Sequence, residues 1–367
     1  MKHPALRHLD RDLAELERAS LLRRRPRPLD PAALTFCSND YLGLAHVTVE
    51  TSGYPGAGAS RLIAGERAEH EALETYVAKW LGYEATLVFS SGYAANIGLL
   101  SALAHRGDLI VSDERNHASI IDGCRLSRAD VEVIPHLDVE AASRALARHP
   151  RGRRWVVTEG YFSMDADSPD LRALREVCDA NDAALLVDEA HSLGVLGPDG
   201  RGVCAEQAVA PDALIGTFGK AFAAGGAFVA GSAELVAWLW NRARSFVFST
   251  GLSPIIAQCA LHGVQLAHSR PELRERTLLA ARALRSALEA AEMPAVGYGH
   301  ILPVVLGTPN AALELSAALA DRGVLAQAIR PPTVAPGTSR LRMAASAAHG
   351  EAALELAARA FRSVKRA

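Results

Sequence analysis

Lys220 lies in Thr217-Phe218-Gly219-Lys220-Ala221-Phe222, directly after the apolar run Ala213-Leu214-Ile215-Gly216. Asp188, 32 residues upstream, closes another apolar run, Ala183-Ala184-Leu185-Leu186-Val187, and leads into Glu189-Ala190-His191. A lysine amine can hold an aldehyde as a Schiff base, and an aspartate can keep a pyridine nitrogen protonated so that the ring accepts electrons. With an imidazole one helical turn beyond the aspartate, this is the equipment for pyridoxal 5′-phosphate (PLP) chemistry. Each piece has a plainer use. Most lysines are solvated surface charges, an aspartate after a strand often caps a helix, and His191 could be a core histidine.

Further segments supply what such a cofactor needs. Thr86-Leu87-Val88-Phe89-Ser90-Ser91-Gly92-Tyr93-Ala94-Ala95-Asn96 reads as a strand, a tight turn of small residues and a helix start. A helix N-terminus offers free N–H groups and partial positive charge to a phosphate, and Gly92 lets the backbone approach. An ordinary serine-capped helix has the same pattern. Thr217 is placed to give its hydroxyl to the same phosphate, or is simply a β-branched strand residue. His117, in Asn116-His117-Ala118-Ser119, could stack on a pyridine ring and donate a proton; capping a helix is its plainer role. Two rival phosphate motifs fail. No G-x-x-x-x-G-K-[ST] occurs, and Gly56-Ala57-Gly58-Ala59-Ser60-Arg61 lacks both the third glycine and the preceding strand of a dinucleotide fingerprint.

The elements that must position these residues follow from the apolar rhythm. Between Tyr83 and Ala230, short apolar runs at 85–89, 108–112, 131–135, 155–158, 183–187, 214–217 and 226–230 alternate with helix-length intervals. This predicts a mainly parallel sheet covered on both faces, with ligands at the carboxyl ends of its strands. The candidates stand at such ends. A helix is expected over about 4–22, then a proline-rich stretch over 25–31. Helical segments follow over 233–246 and 253–292. Strands at 300–306, 324–330 and 340–345 and helices at 310–322 and 351–364 make a compact α+β domain. The expected division is an N-terminal helix and extended segment over 1–45, a large PLP-binding domain over 46–240, and connecting helices with the α+β domain over 241–367.

With 367 residues, 49% hydrophobic, and a net charge of -2, the chain can bury a full core and has no bulk charge for nucleic acid. No apolar run reaches membrane-spanning length, and no secretory signal is apparent. Five scattered cysteines without a Cys-x-x-Cys pair suit reduced thiols. A cytoplasmic location is expected, with no nucleic-acid, membrane or metal partner.

Taken together, the segments resemble the α-oxoamine synthase family of PLP enzymes, from about Leu22 to the C-terminus. The matching blocks are SNDYLGL (38–44), GAGASRLIAG (56–65), SSGYAAN (90–96), NHASIIDG (116–123), TEGYFSMDAD (158–167), DEAHSLGVLGPDGRG (188–202), TFGKAFAAGG (217–226), FST (248–250) and IRPPTV with GTSRLR (329–342). The resemblance implies PLP fold type I, aspartate-aminotransferase-like, with an α/β large domain and a small α+β C-terminal domain. It implies Lys220 as Schiff-base lysine and general base, Asp188 at the pyridine nitrogen, His191 and Ser163 at the phenolic oxygen, and His117 over the ring. Gly92, Tyr93 and Thr217 would bind phosphate, with Thr250 reaching in from the partner of a homodimer. Asn39 and Arg342 would hold an amino-acid carboxylate, which a guanidinium can pair bidentately. Glu159 would lie near the bound amino group, and Arg23 is a candidate substrate contact on the basic N-terminal helix.

Within the family, Ala328-Ile329-Arg330-Pro331-Pro332-Thr333-Val334 is most similar to members that condense L-alanine with pimeloyl-CoA or pimeloyl-carrier protein in biotin synthesis, releasing CO2 and thiol. The paired prolines are expected to hold an extended segment with Arg330 toward the carboxylated acyl chain. The chain departs from the family pattern in short segments at 26–36 and 45–55, in Ala223 and Ala224 after the lysine, and in a proline shifted by one place at Val334-Ala335-Pro336-Gly337. Other readings are a sibling synthase using glycine or serine with another acyl-CoA, an aminotransferase, and a non-catalytic PLP-binding protein.

Overall fold

The computed structural model describes residues 3–25, 33–149 and 151–364; the expected proline-rich stretch and most of the short segment at 26–36 lie outside them. In chain order the strands are β1 (Leu34–Thr35), β2 (Ala85–Phe89), β3 (Leu109–Asp113), β4 (Asp130–Ile134), β5 (Arg154–Glu159), β6 (Ala183–Asp188), β7 (Ala213–Thr217), β8 (Ala227–Gly231), β9 (Ile301–Gly307), β10 (Val324–Leu325), β11 (Gln327–Ile329) and β12 (Ser339–Ala344). The helices are α1 (His8–Arg18), α2 (Ala68–Leu81), α3 (Gly92–Leu103), α4 (Ala118–Ser127), α5 (Val139–Arg148), α6 (Leu171–Ala180), α7 (Gly202–Glu206), α8 (Ala233–Arg242), α9 (Arg244–Val247), α10 (Pro254–Ser269), α11 (Pro271–Ala290), α12 (Pro309–Ala320) and α13 (Glu351–Val364).

The chain divides into two compact units. The larger comprises 39–163 and 167–276; the smaller comprises the chain up to Ser38, Met164–Ala166, and the chain from Thr277 on. These limits differ from the expected boundaries at 45/46 and 240/241. Helices α8 and α10 pack on β2 and α2, so the large unit keeps them, and its limit falls inside α11.

The larger unit is built on a seven-stranded sheet in the order β2-β8-β7-β6-β5-β3-β4. Strands β3 to β7 run parallel, and β8 lies antiparallel to both β2 and β7. The mainly parallel sheet is thus observed, with the antiparallel β8 set between β2 and β7. Strands β3 and β8 are buried at every position because helices cover both faces, and such strands read as continuous rather than alternating apolar runs. On one face Leu99, Leu100, Ile120 and Leu239 pack with Leu87, Phe89, Ile110, Leu186 and Val229; each fully buried leucine contributes about 2 kcal/mol.

The smaller unit has an antiparallel sheet β11-β12-β9 and a separate parallel pair β1-β10, around a core that includes Leu284, Leu302, Leu341 and Phe361. The strand expected over 324–330 is two strands because its halves pair differently: β10 with β1, β11 with β12. The expected helix over 4–22 is a 3-10 turn at Pro4–Leu6 and then α1. The paired prolines form a turn rather than an extended segment. Pro331–Pro332 is cis, and the Thr333 N–H donates to Arg330 O at 3.1 Å. Among the described residues no helix is long and apolar enough to cross a membrane.

Candidate active site

Strand β6 delivers Asp188 because its buried run is fixed between β5 and β7. The pairing continues into the turn: the Gly160 N–H donates to Asp188 O, and the Glu189 N–H to Ile215 O, both at 2.8 Å. The Asp188 carboxylate accepts the Ala190 N–H at 2.9 Å and the Asn96 amide at 2.7 Å. Glu189 anchors the same turn from below. Its fully buried carboxyl accepts the N–H groups of Val203 at 3.1 Å and Cys204 at 2.5 Å, and the Ser192 hydroxyl. A Cβ on Gly160 or Gly202 would stand 2.7 Å from that carboxyl, so glycine is required at both. Burial pushes Glu189 up to about 7.

The pinned turn presents His191 to Lys220, with Lys220 Nζ 2.8 Å from His191 Nε2. Behind the imidazole, Tyr41 Oη is 2.7 Å from His191 Nδ1 and donates to Asn39 Oδ1 at 3.0 Å. Tyr41 has one hydrogen. Giving it to Asn39 leaves its oxygen to accept from Nδ1–H, and Nε2 faces the amine with its lone pair. Tyr41 is fully buried.

The lysine loop is held by its own backbone. Thr217 Oγ1 donates to Gly226 O at 3.0 Å and accepts the Gly219 N–H at 3.2 Å. The Ala224 N–H donates to Phe218 O at 2.9 Å, and Phe218 and Phe222 anchor the loop in the core. Ala223 adopts φ 53°, a left-handed conformation that costs an alanine about 1 kcal/mol and that a glycine would adopt freely.

Across from Thr217, α3 begins at Gly92, capped by Ser91 Oγ, which accepts the Ala94 N–H at 3.1 Å. A Cβ on Gly92 would meet only Thr217, 3.9 Å from its Cβ and 4.0 Å from Oγ1. Helix start and hydroxyl therefore border a shared gap, the cradle a phosphate requires. Tyr93 is exposed, and its hydroxyl donates to Asp122.

His117 caps α4 at the end of the β3–α4 connection, with its ring partly open. Desolvation by its surroundings lowers its pKa, Asp188 opposes this, and the Lys220 charge adds to it. Glu159, at the end of β5, is buried beside these groups and accepts the backbone N–H groups of Ser163 and His117; burial, reinforced by Asp188, pushes it up to about 8. Ser163 is buried four residues further on. The larger unit thus brings together Asn39, Glu159, Ser163, Asp188, His191, Thr217 and Lys220, with Gly92, Tyr93 and His117 on the facing helices. An amine, a carboxylate for a ring nitrogen, an imidazole with an open face and an anion cradle fit PLP.

Residues 32–361 match the family model "Aminotransferase class I and II". The chain belongs to the class I and II aminotransferase family. Among its relatives, an 8-amino-7-oxononanoate synthase of Anaeromyxobacter dehalogenans is 44% identical over 366 residues, covering 93% of this chain and 92% of that one. That of Mycolicibacterium smegmatis is 45% identical over 349 residues, covering 92% and 91%. These relatives bear out the α-oxoamine synthase resemblance within the aminotransferase family. A serine palmitoyltransferase from S. paucimobilis, solved with bound PLP–myriocin, superposes with a TM-score of 0.91 at 28% identity over 99% of this chain and 98% of that one. The expected fold is that of the aminotransferase family.

The remaining candidates of this aminotransferase-family chain are Thr250 and three arginines. Thr250 is exposed just beyond α9. Arg342, Arg330 and Arg23 belong to the smaller unit. Arg342 is buried on β12, two residues after Arg340, which pairs with Asp165 at 2.8 Å. Arg23 donates to Thr333 Oγ1 at 3.2 Å and Arg330 donates to Ser20 O. Burial and the nearby Arg23 charge lower the Arg330 pKa. Sequence reasoning missed Tyr41, Asn96, Ser119 and Glu189 as site residues, although each falls inside a block that carries the resemblance. What it lacked was the third dimension: each acts on a partner at least two residues away in sequence, and mostly on another element.

Proposed function

We propose that this chain catalyses the PLP-dependent condensation of L-alanine with a pimeloyl thioester, of coenzyme A or a carrier protein, giving 8-amino-7-oxononanoate, CO2 and free thiol in biotin synthesis. The observation that carries this reading is 40–45% identity to 8-amino-7-oxononanoate synthases over about nine-tenths of the chain. Bound PLP supplies the electron sink that stabilises a carbanion at the alanine α-carbon. Asp188, its carboxylate oriented by Ala190 and Asn96, would keep the pyridine nitrogen protonated. Lys220 Nζ would hold the cofactor and would also take up the α-proton of alanine. His191 and Ser163 would hold the phenolic oxygen, His117 the ring, and Gly92, Tyr93 and Thr217 the phosphate. Asn39 and Arg342 bind the alanine carboxylate, beside neutral Glu159. The α-carbon would bond to the thioester carbonyl as the C–S bond breaks, with the leaving thiolate taking a proton from solvent. The carboxylate would then leave as CO2, and the carbon it leaves would take back the proton held by Lys220, so no oxidant is needed.

In this proposal Arg23 and Arg330 receive the free carboxylate of the acyl chain, and a homodimer completes each site with Thr250 from its partner. The arginine pair favours a dicarboxylic acyl group over the plain fatty chain of a palmitoyltransferase. Thiol release should be confined to L-alanine with a pimeloyl thioester when glycine, L-serine, acetyl-, succinyl- and palmitoyl-CoA are compared. Arg330→Ala should raise KM for the pimeloyl donor about 10- to 100-fold, the range of one lost charge-assisted bond, with a smaller change in kcat. Release with L-serine and palmitoyl-CoA instead would overturn the substrate assignment.

A further inference from the structure

We infer that Asn96 and Ser119 are positioning residues that lock His117 to Asp188 and hold the imidazole proton of His117 on Nε2. The inference concerns the proposed PLP site but rests on hydrogen-bond logic within the chain. Both side chains are buried, Asn96 2% and Ser119 1% exposed, so their polar atoms must find partners inside the protein. Asn96 Nδ2 stands 2.7 Å from Asp188 Oδ2 and 3.0 Å from Ser119 Oγ. Its two hydrogens serve these two acceptors. Reversing the amide would set its oxygen against a carboxylate oxygen, so the orientation is dictated by chemistry.

Ser119 Oγ accepts from Asn96, and its single hydrogen is available to His117 Nδ1, 2.7 Å away. The Ser119 backbone N–H also points at Nδ1, at 3.2 Å. Two donors converge on one ring nitrogen, and a hydrogen on Nδ1 would collide with the backbone donor. Nδ1 is therefore bare, and a neutral imidazole must carry its proton on Nε2. The charged groups around His117 are Asp188, Lys220 and Glu159, whose carboxyl accepts the His117 backbone N–H.

Two consequences follow. His117 is tied through two uncharged side chains to Asp188, so the plane of the imidazole and the orientation of the carboxylate are set together. His117 also serves as a neutral ring with an Nε2–H hydrogen bond, because net donation from that nitrogen would leave an imidazolate. On this inference His117 orients rather than donates a proton.

The test is 15N NMR of histidine-labelled PLP-loaded protein, with the His117 signals assigned by their loss in His117→Asn, alongside PLP dissociation constants for the variants. Wild type and Ser119→Thr, which keeps the hydroxyl, should show unprotonated Nδ1 and protonated Nε2. Ser119→Ala should raise the midpoint of His117 protonation, and Asn96→Ala should both move the His117 signals and weaken PLP binding about 10-fold, the effect of one buried hydrogen bond. Protonated Nδ1 in the wild type overturns the inference even if the variants fail to fold, as do His117 signals unmoved in both alanine variants. A protein that binds no PLP defeats the proposed function instead, and its His117 signals still report the tautomer.

Discussion

Among single residues, Glu159 makes the sharpest chemical statement. Its carboxyl is buried near Asp188, and pushed up to about 8 it is mostly protonated at neutral pH. The raised value means that folding keeps a proton the unfolded chain gives up. This group's contribution to stability therefore declines as pH rises from about 4.3 towards about 8. A neutral carboxyl can be replaced by an amide of the same shape. Glu159→Gln should keep turnover within about 10-fold of wild type and remove a limb near pH 8 from the kcat/KM profile. A loss of a thousandfold or more would show that the carboxylate itself is needed. The neighbouring Glu189 differs in kind: its three donors and two flanking glycines make it the anchor of the turn that carries Asp188 and His191.

At the scale of elements, the strand ends are held in register by contacts that reach across loops. His136, following β4, bonds Asp113 at the end of β3 through Nδ1 at 2.9 Å and Asp167 through Nε2 at 3.1 Å, while its ring packs edge-on against Phe162 at 4.5 Å between centroids. Burial alone would lower its pKa, but the bonds to Asp113 and Asp167 outweigh it and raise His136 to about 9. The clamp is therefore fully present below about pH 6.5, the unfolded histidine value, and is lost as pH rises through about 9. His136→Asn should cost about 2 kcal/mol near pH 6, after allowance for solvent screening, and clearly less near pH 10, by denaturant unfolding at both pH values. An equal cost at both would assign the effect to packing on Phe162 rather than to charge. This clamp was not legible in the sequence. The strand ends it joins were, because each is announced by an apolar run that stops at a polar residue, as at Val187-Asp188. Loops gave no such signal: the positive φ of Ala223 and the turn at Pro331–Pro332 are local backbone states that apolar periodicity does not encode.

For the whole molecule, the alternation of strands and helices announced the sheet, and the ordered motif blocks announced the family. The family model and the relatives bear out both. The larger unit extends past the expected limit at 240 because α10 packs on α2, and amphipathic helices after a domain carry no label saying which core they cover. The arginines of the smaller unit show the same limit: sequence marks Arg23 and Arg330 as basic residues near opposite ends of the chain, and only folding brings Arg23 to Thr333 and Arg330 to Ser20. The central claim is that this chain joins an amino acid to a thioester and removes the amino-acid carboxyl group, with Lys220 as the essential amine. The most direct measurement supplies [1-13C]L-alanine and pimeloyl-CoA to the PLP-loaded protein and follows labelled CO2 and free thiol together. The account predicts one labelled CO2 for each thiol released and neither from Lys220→Ala. Label retained in the product, amino transfer to a keto acid without thiol release, or undiminished turnover by Lys220→Ala would contradict it.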